Sequence, residues 1–329
     1  MDPPENAAHI PFEEYITSIP ALQELKNFNA PQLYAKLNSS DDEFMKFMQD
    51  LKLIPRSKRC ECGNSMVPKY KSNRNVPTWR CHKSSCKKEK GFLSGTWFEG
   101  CHLSLKQIFQ LSYFWCRQTH TVEEAQFDLQ KEEGGTVSNH IITDYNNIFR
   151  QVCTWYYTRN PIKIGGPGTV VEIDETVLTK RKYNRGQLRA DTQWFFGGVE
   201  RGTKKVFLVP VERRNADTLL PLIAEHILPE TTIISDCWAA YGGIERMQKE
   251  YSHYTVNHSQ NFVDPATGAH TNTIEGTWAN FKCRHKEEHG TRRELFGSYI
   301  SQFVWRQEFK GPDTMFHLWG QVAYLYPVD

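Results

Sequence analysis

The chain has 329 residues, of which 39% are hydrophobic and 24% charged, with a formal net charge of +2. There is enough apolar material for a real core and enough length for two or three domains, which excludes a small stapled scaffold and a chain disordered throughout. No apolar run approaches the roughly 18 residues needed to span a bilayer, and the start MDPPENAAHIPFEEY is acidic where a signal or transit segment is basic. No membrane partner is expected, and the location expected is intracellular, nuclear in a eukaryote.

Charge is unevenly spread. Residues 1–51 carry three Lys/Arg against nine Asp/Glu, or −6, whereas residues 52–90 carry twelve against two, or +10. A basic block of that density points to nucleic acid. Nine cysteines, an odd number, argue for metal binding before disulfides in an intracellular chain. Cys116, Cys153, Cys237 and Cys283 fall in predicted helices or beside a strand, and are expected to be plain buried thiols.

In chain order, residues 1–55 form a helical segment. Residues 12–54 read as helical, with apolar positions at Leu33, Leu37, Phe44, Phe47, Met48 and Leu51 and a capping box at Ser40-x-x-Glu43. Packing, or contact with a second copy, is the expected role. Residues 56–100 read as a zinc ribbon. Cys60-x-Cys62 and Cys81-x-x-x-x-Cys86 form two close pairs, and PKYKSNRNVP between them reads as two strands around a turn. Four thiolates at such spacing suit tetrahedral zinc, which substitutes for a core too small to hold itself. The first pair is tighter than the usual two-residue gap, so His82 and Cys101 stay open as substitutes for one ligand. The basic residues around the knuckles, Lys69, Lys71, Arg74, Lys87 and Lys88 among them, are expected to face phosphates.

Residues 101–163 are expected to be a helical DNA-binding region. SLKQIFQLSYFWCRQ predicts a core helix capped by Ser104. Thr121-x-x-Glu124 then opens a short amphipathic helix, EEGGT breaks it, and a longer helix follows with Val137, Ile141, Tyr145, Ile148 and Val152 on one stripe. Helix, glycine turn, helix is the outline of a helix-turn-helix, and its second helix begins with Thr136, Ser138, Asn139 and His140, polar groups placed to meet base edges.

IGGPG at 164–168 marks the boundary of a last domain, 164–329. TVVEID, QWFFGGVER and KKVFLVPVE predict three strands able to form a meander. Helix ADTLLPLIAEHI, strand TTIISD, helix AYGGIERMQKE and strand SHYTVNH follow, then a helix from Thr273 and another from Arg292 to Phe309. That order implies an α/β mixed sheet covered by helices, in which the first and fourth strands can be parallel neighbours. Chemistry gathers at strand ends in such sheets. Asp174 ends the first strand, on the face it shares with Glu172, and Asp236 ends the TTIIS strand. In AHTNTIEGTWANFKCRH, Asn272 reads as a helix cap with Glu275 as its capping-box partner, and Glu275 and Lys282 lie two turns apart with Trp278 beside them.

Glu275 over Asp174 and Asp236 completes a three-carboxylate site. Close acids repel and protonate unless a cation neutralises them, which argues for magnesium, or manganese in its place. Two such ions, about 4 Å apart, activate a water or 3′-hydroxyl on one side of a phosphodiester and stabilise the leaving oxygen on the other. The chemistry expected is cutting and joining DNA strands.

The element order and the acids at Asp174, Asp236 and Glu275 resemble the ribonuclease H-like catalytic domain of DDE transposases. The segments VEIDETVLTKRKYNRG, IISDCWAAYGG, VNHSQNFVDPATGAHTNTIEGTWANFK, WRCHKSSC and SGTWFEG are similar to the Merlin superfamily and its bacterial insertion-sequence relatives, over roughly residues 55–310. The resemblance implies that Asp174, Asp236 and Glu275 form the metal-binding triad, with two Mg²⁺ or Mn²⁺ ions per site and one structural Zn²⁺. Some relatives use Asn or His as third ligand, and His270 and Asn272 stand close; Glu275 is chosen because it supplies charge. Lys282 matches the basic residue that contacts the DNA backbone, and Lys286 and Asn272 join it among the expected DNA contacts. Trp278 is read first as core, and as a base-stacking contact in the alternative. The implied partners are double-stranded DNA with terminal inverted repeats, target DNA, and a second copy in a homodimer or larger synaptic assembly. The competing readings are a structure-selective nuclease of the same fold, and a zinc-dependent DNA-binding protein without catalysis.

Overall fold

In the computed structural model, which describes residues 3, 10–70, 76–129, 136–178, 193–257, 263, 268–287 and 293–328, the chain divides into two units. One is Met1–Tyr156 together with Phe309–Asp329, and the other is Tyr157–Glu308.

The first unit opens with short helices, α1 (Phe12–Thr17), a 3₁₀ turn at Pro20–Leu25, α2 (Ala30–Leu37) and α3 (Asp41–Asp50). Local capping chemistry sets several starts: Ser40 with Glu43 caps α3, Ser104 with Gln107 caps α4 (Leu105–Arg117), and Thr121 with Glu124 caps α5 (Val122–Asp128), each as a reciprocal box. The strands β1 (Lys58–Arg59), β2 (Ser65–Lys69), β3 (Thr78–Cys81) and β4 (Glu89–Gly91) pair in sequence order as an antiparallel sheet.

In α6 (Asn139–Arg159) the buried stripe is Ile142, Tyr145, Phe149, Val152 and Tyr156. Val137, Tyr145 and Val152 of the expected stripe are buried, but Ile148 is exposed and Ile141 only half-buried. Phe149, absent from that expectation, stacks on Trp97.

A second correction concerns the end of the chain. Residues 309–329, expected with the last domain, belong to the first unit. There α10 (Thr314–Leu325) is buried along nearly its whole length. Its Trp319 stacks on Phe98 and Phe109 and donates its indole N–H to Ser112 Oγ at 3.1 Å. A helix apolar all round needs a core around it, and this one supplies the centre of the first unit. Of the four unassigned cysteines, Cys116 and Cys153 are buried as expected, but Cys237 and Cys283 are exposed.

The second unit contains β5 (Ile164–Gly165), β6 (Val170–Leu178), β7 (Gln193–Glu200), β8 (Val206–Val211), α7 (Ala216–His226), β9 (Ile227–Leu228), β10 (Thr232–Asp236), a 3₁₀ segment at Ala239–Arg246, β11 (Ser252–Val256), α8 (Asn272–Glu287) and α9 (Phe296–Glu308). The main sheet runs β11-β10-β6-β7-β8, while β5 pairs with β9 alone. The meander β6-β7-β8 is antiparallel, and β10 and β11 join it parallel to β6, so the first and fourth long strands are neighbours.

Alternation sorts the side chains between two layers. Val171, Ile173, Phe196 and Phe207 pack under α7 and the 3₁₀ segment. Phe195, Val199 and Leu208 pack on the other face with Ile274, Trp278 and Phe281 of α8 and Ile300, Phe303 and Val304 of α9. This is the mixed α/β architecture expected. The segment expected as a helix over AYGGIERMQKE is the shorter 3₁₀ turn, two glycines inside it weighing against a longer helix. Residues 132–135 of the EEGGT break, Lys71, Arg74, all of KRKYNRG and most of SQNFVDPAT lie outside the described residues.

Candidate active site

Strands β6 and β10 pair over Val170–Glu172 with Thr232–Ile234, and the ladder stops there. β10 ends two residues further, at Asp236, but β6 continues past Asp174 to Leu178 on its pairing with β7, so Asp174 does not end its strand as expected; both acids stand just beyond the last β6–β10 pair. Alternation puts both on the face covered by α8.

Asp174 is half-buried, and its Oδ2 accepts the indole N–H of Trp278 at 3.0 Å. Trp278 reaches it because Gly197 stands opposite Asp174 in β7: a Cβ there would lie 2.7 Å from the Trp278 ring and 2.5 Å from the Phe207 carbonyl oxygen. Burial pushes the Asp174 carboxyl up to about 7, with the charges of Glu175 and Asp236 adding to the rise. Asp236 Oδ1 accepts the backbone N–H of Trp238 at 2.9 Å, a turn that ends the strand.

Two acids of the same strand add to this pair, and the sequence pattern did not assign them. Burial also raises Glu175, against the hydrogen bond its Oε1 accepts from the Tyr241 hydroxyl at 2.7 Å. Glu172 is fully buried, and its Oε2 accepts the backbone N–H groups of Thr273 and Ile274 at 2.9 and 3.0 Å. Its Oε1 accepts from Arg201 Nε at 2.6 Å and lies 3.5 Å from His270 Nδ1, while Arg201 also donates to the His270 carbonyl oxygen at 2.7 Å. A strand carboxylate thus caps the helix that carries Glu275.

That corrects the expected cap. Asn272 is the first helical residue and is exposed; the Thr271 carbonyl receives the Glu275 N–H, and the Thr271 hydroxyl donates to Glu275 Oε1 at 3.3 Å. Glu275 is exposed on the first turn of α8, and Lys282 and Lys286 are exposed further along it. Trp278, 4% exposed, is core, so the DNA-stacking alternative gives way to its bond with Asp174. Asp174 and Asp236 are brought together, but the three acids do not close into one tight cluster. Among the described residues, only Cys60, Cys62, Cys81 and Cys86 form a group of three or more metal-ligating side chains whose ligand atoms all lie within 4.8 Å of one another.

In that cysteine group Sγ of Cys60 is 3.7 Å from that of Cys86, and Sγ of Cys62 is 3.5 Å from that of Cys81. A tetrahedral zinc with bonds of about 2.3 Å needs sulfur separations of about 3.8 Å, so the four thiols fit it. Each pair is followed by a left-handed residue that tightens the knuckle, Gly63 at φ 84° and Lys87 at φ 49°. The tight first pair therefore needs neither His82 nor Cys101.

The surrounding charge is partly spent within the ribbon. Lys69 pairs with Glu89 at 3.2 Å and Lys88 with Glu61 at 2.9 Å, and Lys87 is exposed. At the start of α6, Ser138, Asn139 and His140 are exposed, and Ser138 Oγ accepts the Ile141 N–H at 3.4 Å as a helix cap.

The Asp174 shift has a consequence for stability. The folded value lies above the ordinary 3.8, so between these pH values the folded protein holds a proton that the unfolded chain releases. Stability therefore falls as pH rises from about 4 to about 7 and levels off above. Thermal melts of the wild type and Asp174→Asn across pH 4–8 are expected to diverge in favour of the variant as pH rises; a pH-independent difference would refute the shift.

Solved structures with similarity to the chain include the catalytic core domain of HTLV-2 integrase in complex with magnesium, at 12% identity and a TM-score of 0.26 over 43% of this chain and 84% of that one. The catalytic core domain of BIV integrase follows at 14% and 0.30 over the same shares. Scores this low carry nothing over to this chain. In sequence, an uncharacterized transposase-like protein of Haemophilus influenzae is 29% identical over 102 residues, 31% of this chain and 80% of that protein. Residues 163–308 match the ISXO2-like transposase domain. These two sequence matches support a transposase family for the chain.

Proposed function

We propose that the protein is a metal-dependent DNA transposase, which binds the terminal inverted repeats of an element and cuts and joins DNA strands in the second unit. The observation that carries this reading is the arrival of Asp174 and Asp236 on two parallel neighbouring strands, just beyond the last β6–β10 pair and inside the region that matches a transposase domain. The strand order, a meander followed by two strands parallel to its first, supports a ribonuclease H-like domain, and the motifs quoted above support the Merlin superfamily.

Asp174, Asp236 and Glu275 would hold two Mg²⁺ or Mn²⁺ ions, which supply charge neutralisation and activation of the attacking oxygen. The fit is electrostatic: a carboxyl raised to about 7 by burial and by neighbouring acids is one that a cation would return to the ionised form. The protein's own part is orientation. Trp278 holds one oxygen of Asp174, the Trp238 backbone holds one of Asp236, and Glu172 anchors the first turn of α8, from which Glu275 is exposed. Lys282 and Lys286 are placed for the DNA backbone. The cysteine cluster would hold one zinc, and the first unit would carry the repeat-binding surface, with Lys87, Ser138, Asn139 and His140 among its exposed polar groups. A homodimer or larger synaptic assembly brings two ends together.

The test is the product formed. A duplex with a free 3′-hydroxyl end, a target plasmid and Mg²⁺ or Mn²⁺ should give covalent joints. Hydrolysis without joining would instead favour a nuclease of the same fold, and calorimetry showing no Mg²⁺ or Mn²⁺ uptake would favour DNA binding without catalysis. For the ribbon, metal analysis is expected to find one zinc per chain, and Cys86→Ser is expected to lose it and to raise amide exchange across residues 58–91; unchanged zinc content would overturn that ligand set.

A further inference from the structure

Trp238 stands two residues past Asp236 and is 44% exposed. It is nevertheless held at two points. Its backbone N–H donates to Asp236 Oδ1 at 2.9 Å, and its indole N–H donates to the Arg214 carbonyl oxygen at 3.0 Å. The Arg214 guanidinium lies 3.8 Å from the ring centroid of Trp194 and 5.3 Å from that of Trp238, so a single cation is shared between two indoles. Its charge also acts on Glu175, in the opposite sense to that of Asp236.

A large ring left open to water but fixed in place gains nothing for the fold from its exposed face. That face is suited to something flat. Two trans peptide units limit the Cα separation of Asp236 and Trp238 to about 7 Å, so the ring is anchored within one residue's reach of the strand end that carries Asp236. Every nucleobase offers a π face, and a flanking guanidinium suits the phosphate that comes with it.

We infer, building on the transposase reading, that Trp238, backed by Arg214 and Trp194, is a stacking platform for one unpaired nucleobase of the DNA strand engaged at Asp174 and Asp236. It serves strands that have opened at the point of cleavage, and it reads no sequence.

The test uses the full-length protein and a single-stranded thymidine 12-mer with one central 2-aminopurine, whose emission is quenched on stacking. The wild type is expected to quench the probe. Trp238→Ala is expected to abolish most of the quench and to weaken binding roughly tenfold, while Trp238→Phe retains most of both. Equal quenching by the wild type and Trp238→Ala, or none by the wild type, overturns the platform. Asp174→Asn in the same assay separates the two ideas: it should quench normally while losing strand transfer. Loss of transfer with no platform, or a platform in a protein that transfers nothing, defeats one reading without the other.

Discussion

Asp236→Asn is expected to lower strand transfer on the order of a thousandfold or more while leaving the fold intact. The substitution is chosen for what it keeps. Asn retains the Oδ1 acceptor that takes the Trp238 N–H, so the turn ending β10 survives. What disappears is one negative charge beside Asp174, whose raised carboxyl owes part of its rise to that neighbour. Asp174 then titrates lower, and its cost to the folded state above pH 7 shrinks. The variant should therefore melt at the same temperature as the wild type, or higher, at pH 8, and take up less Mg²⁺. Activity and stability move in opposite directions, which is the mark of an acid placed for chemistry and not for structure. Wild-type transfer rates in Asp236→Asn would end the catalytic assignment, and a large fall in melting temperature would show that the residue is a strand terminator first.

How much of this was readable beforehand depends on the range of the interaction. Capping boxes at Ser40, Ser104 and Thr121 span three residues, so the pattern that predicts them contains both partners. The two knuckles are similarly local, and their four thiols converge. The mixed sheet follows from alternation and element order, and β6 does lie beside β10 in parallel.

The failures are all long-range. Asn272 looks like a cap by every local rule, but the donors it would serve are taken by Glu172, about a hundred positions earlier in the chain. Tyr145 and Val152 of α6 are buried as the pattern predicts, but Ile141 and Ile148 are as apolar as Ile142 and Phe149, and only the surrounding aromatics decide which of these is buried. Glu175 was passed over because it lies on the opposite face from Asp174, where only the arrival of Tyr241 shows it to be an interior acid. The exposure of Trp238 and the burial of Trp278 could not be told apart from two tryptophans in two short motifs.

Replacing Glu172 with Ala is expected to destabilise the second unit by about 3–5 kcal/mol, the range for breaking a buried charge pair from one side. The side chain is fully buried and accepts from two helix N–H groups and from Arg201, so its loss strands three donors at once. Glu172→Gln does not rescue it, because the new amide turns N–H groups toward partners that are themselves donors. At roughly 2–4 °C per kcal/mol for a unit of this size, the melting temperature should drop by about 10 °C. Amide exchange at Thr273 and Ile274 should rise more than elsewhere in α8, since those are the groups released. The double variant Glu172→Ala with Arg201→Met should recover part of the loss, because much of the cost is the guanidinium left without its carboxylate. If Glu172→Ala melts within 2 °C of the wild type and the two amides exchange at their former rates, the carboxylate does not hold the helix, and the start of α8, from which Glu275 is exposed, needs another anchor.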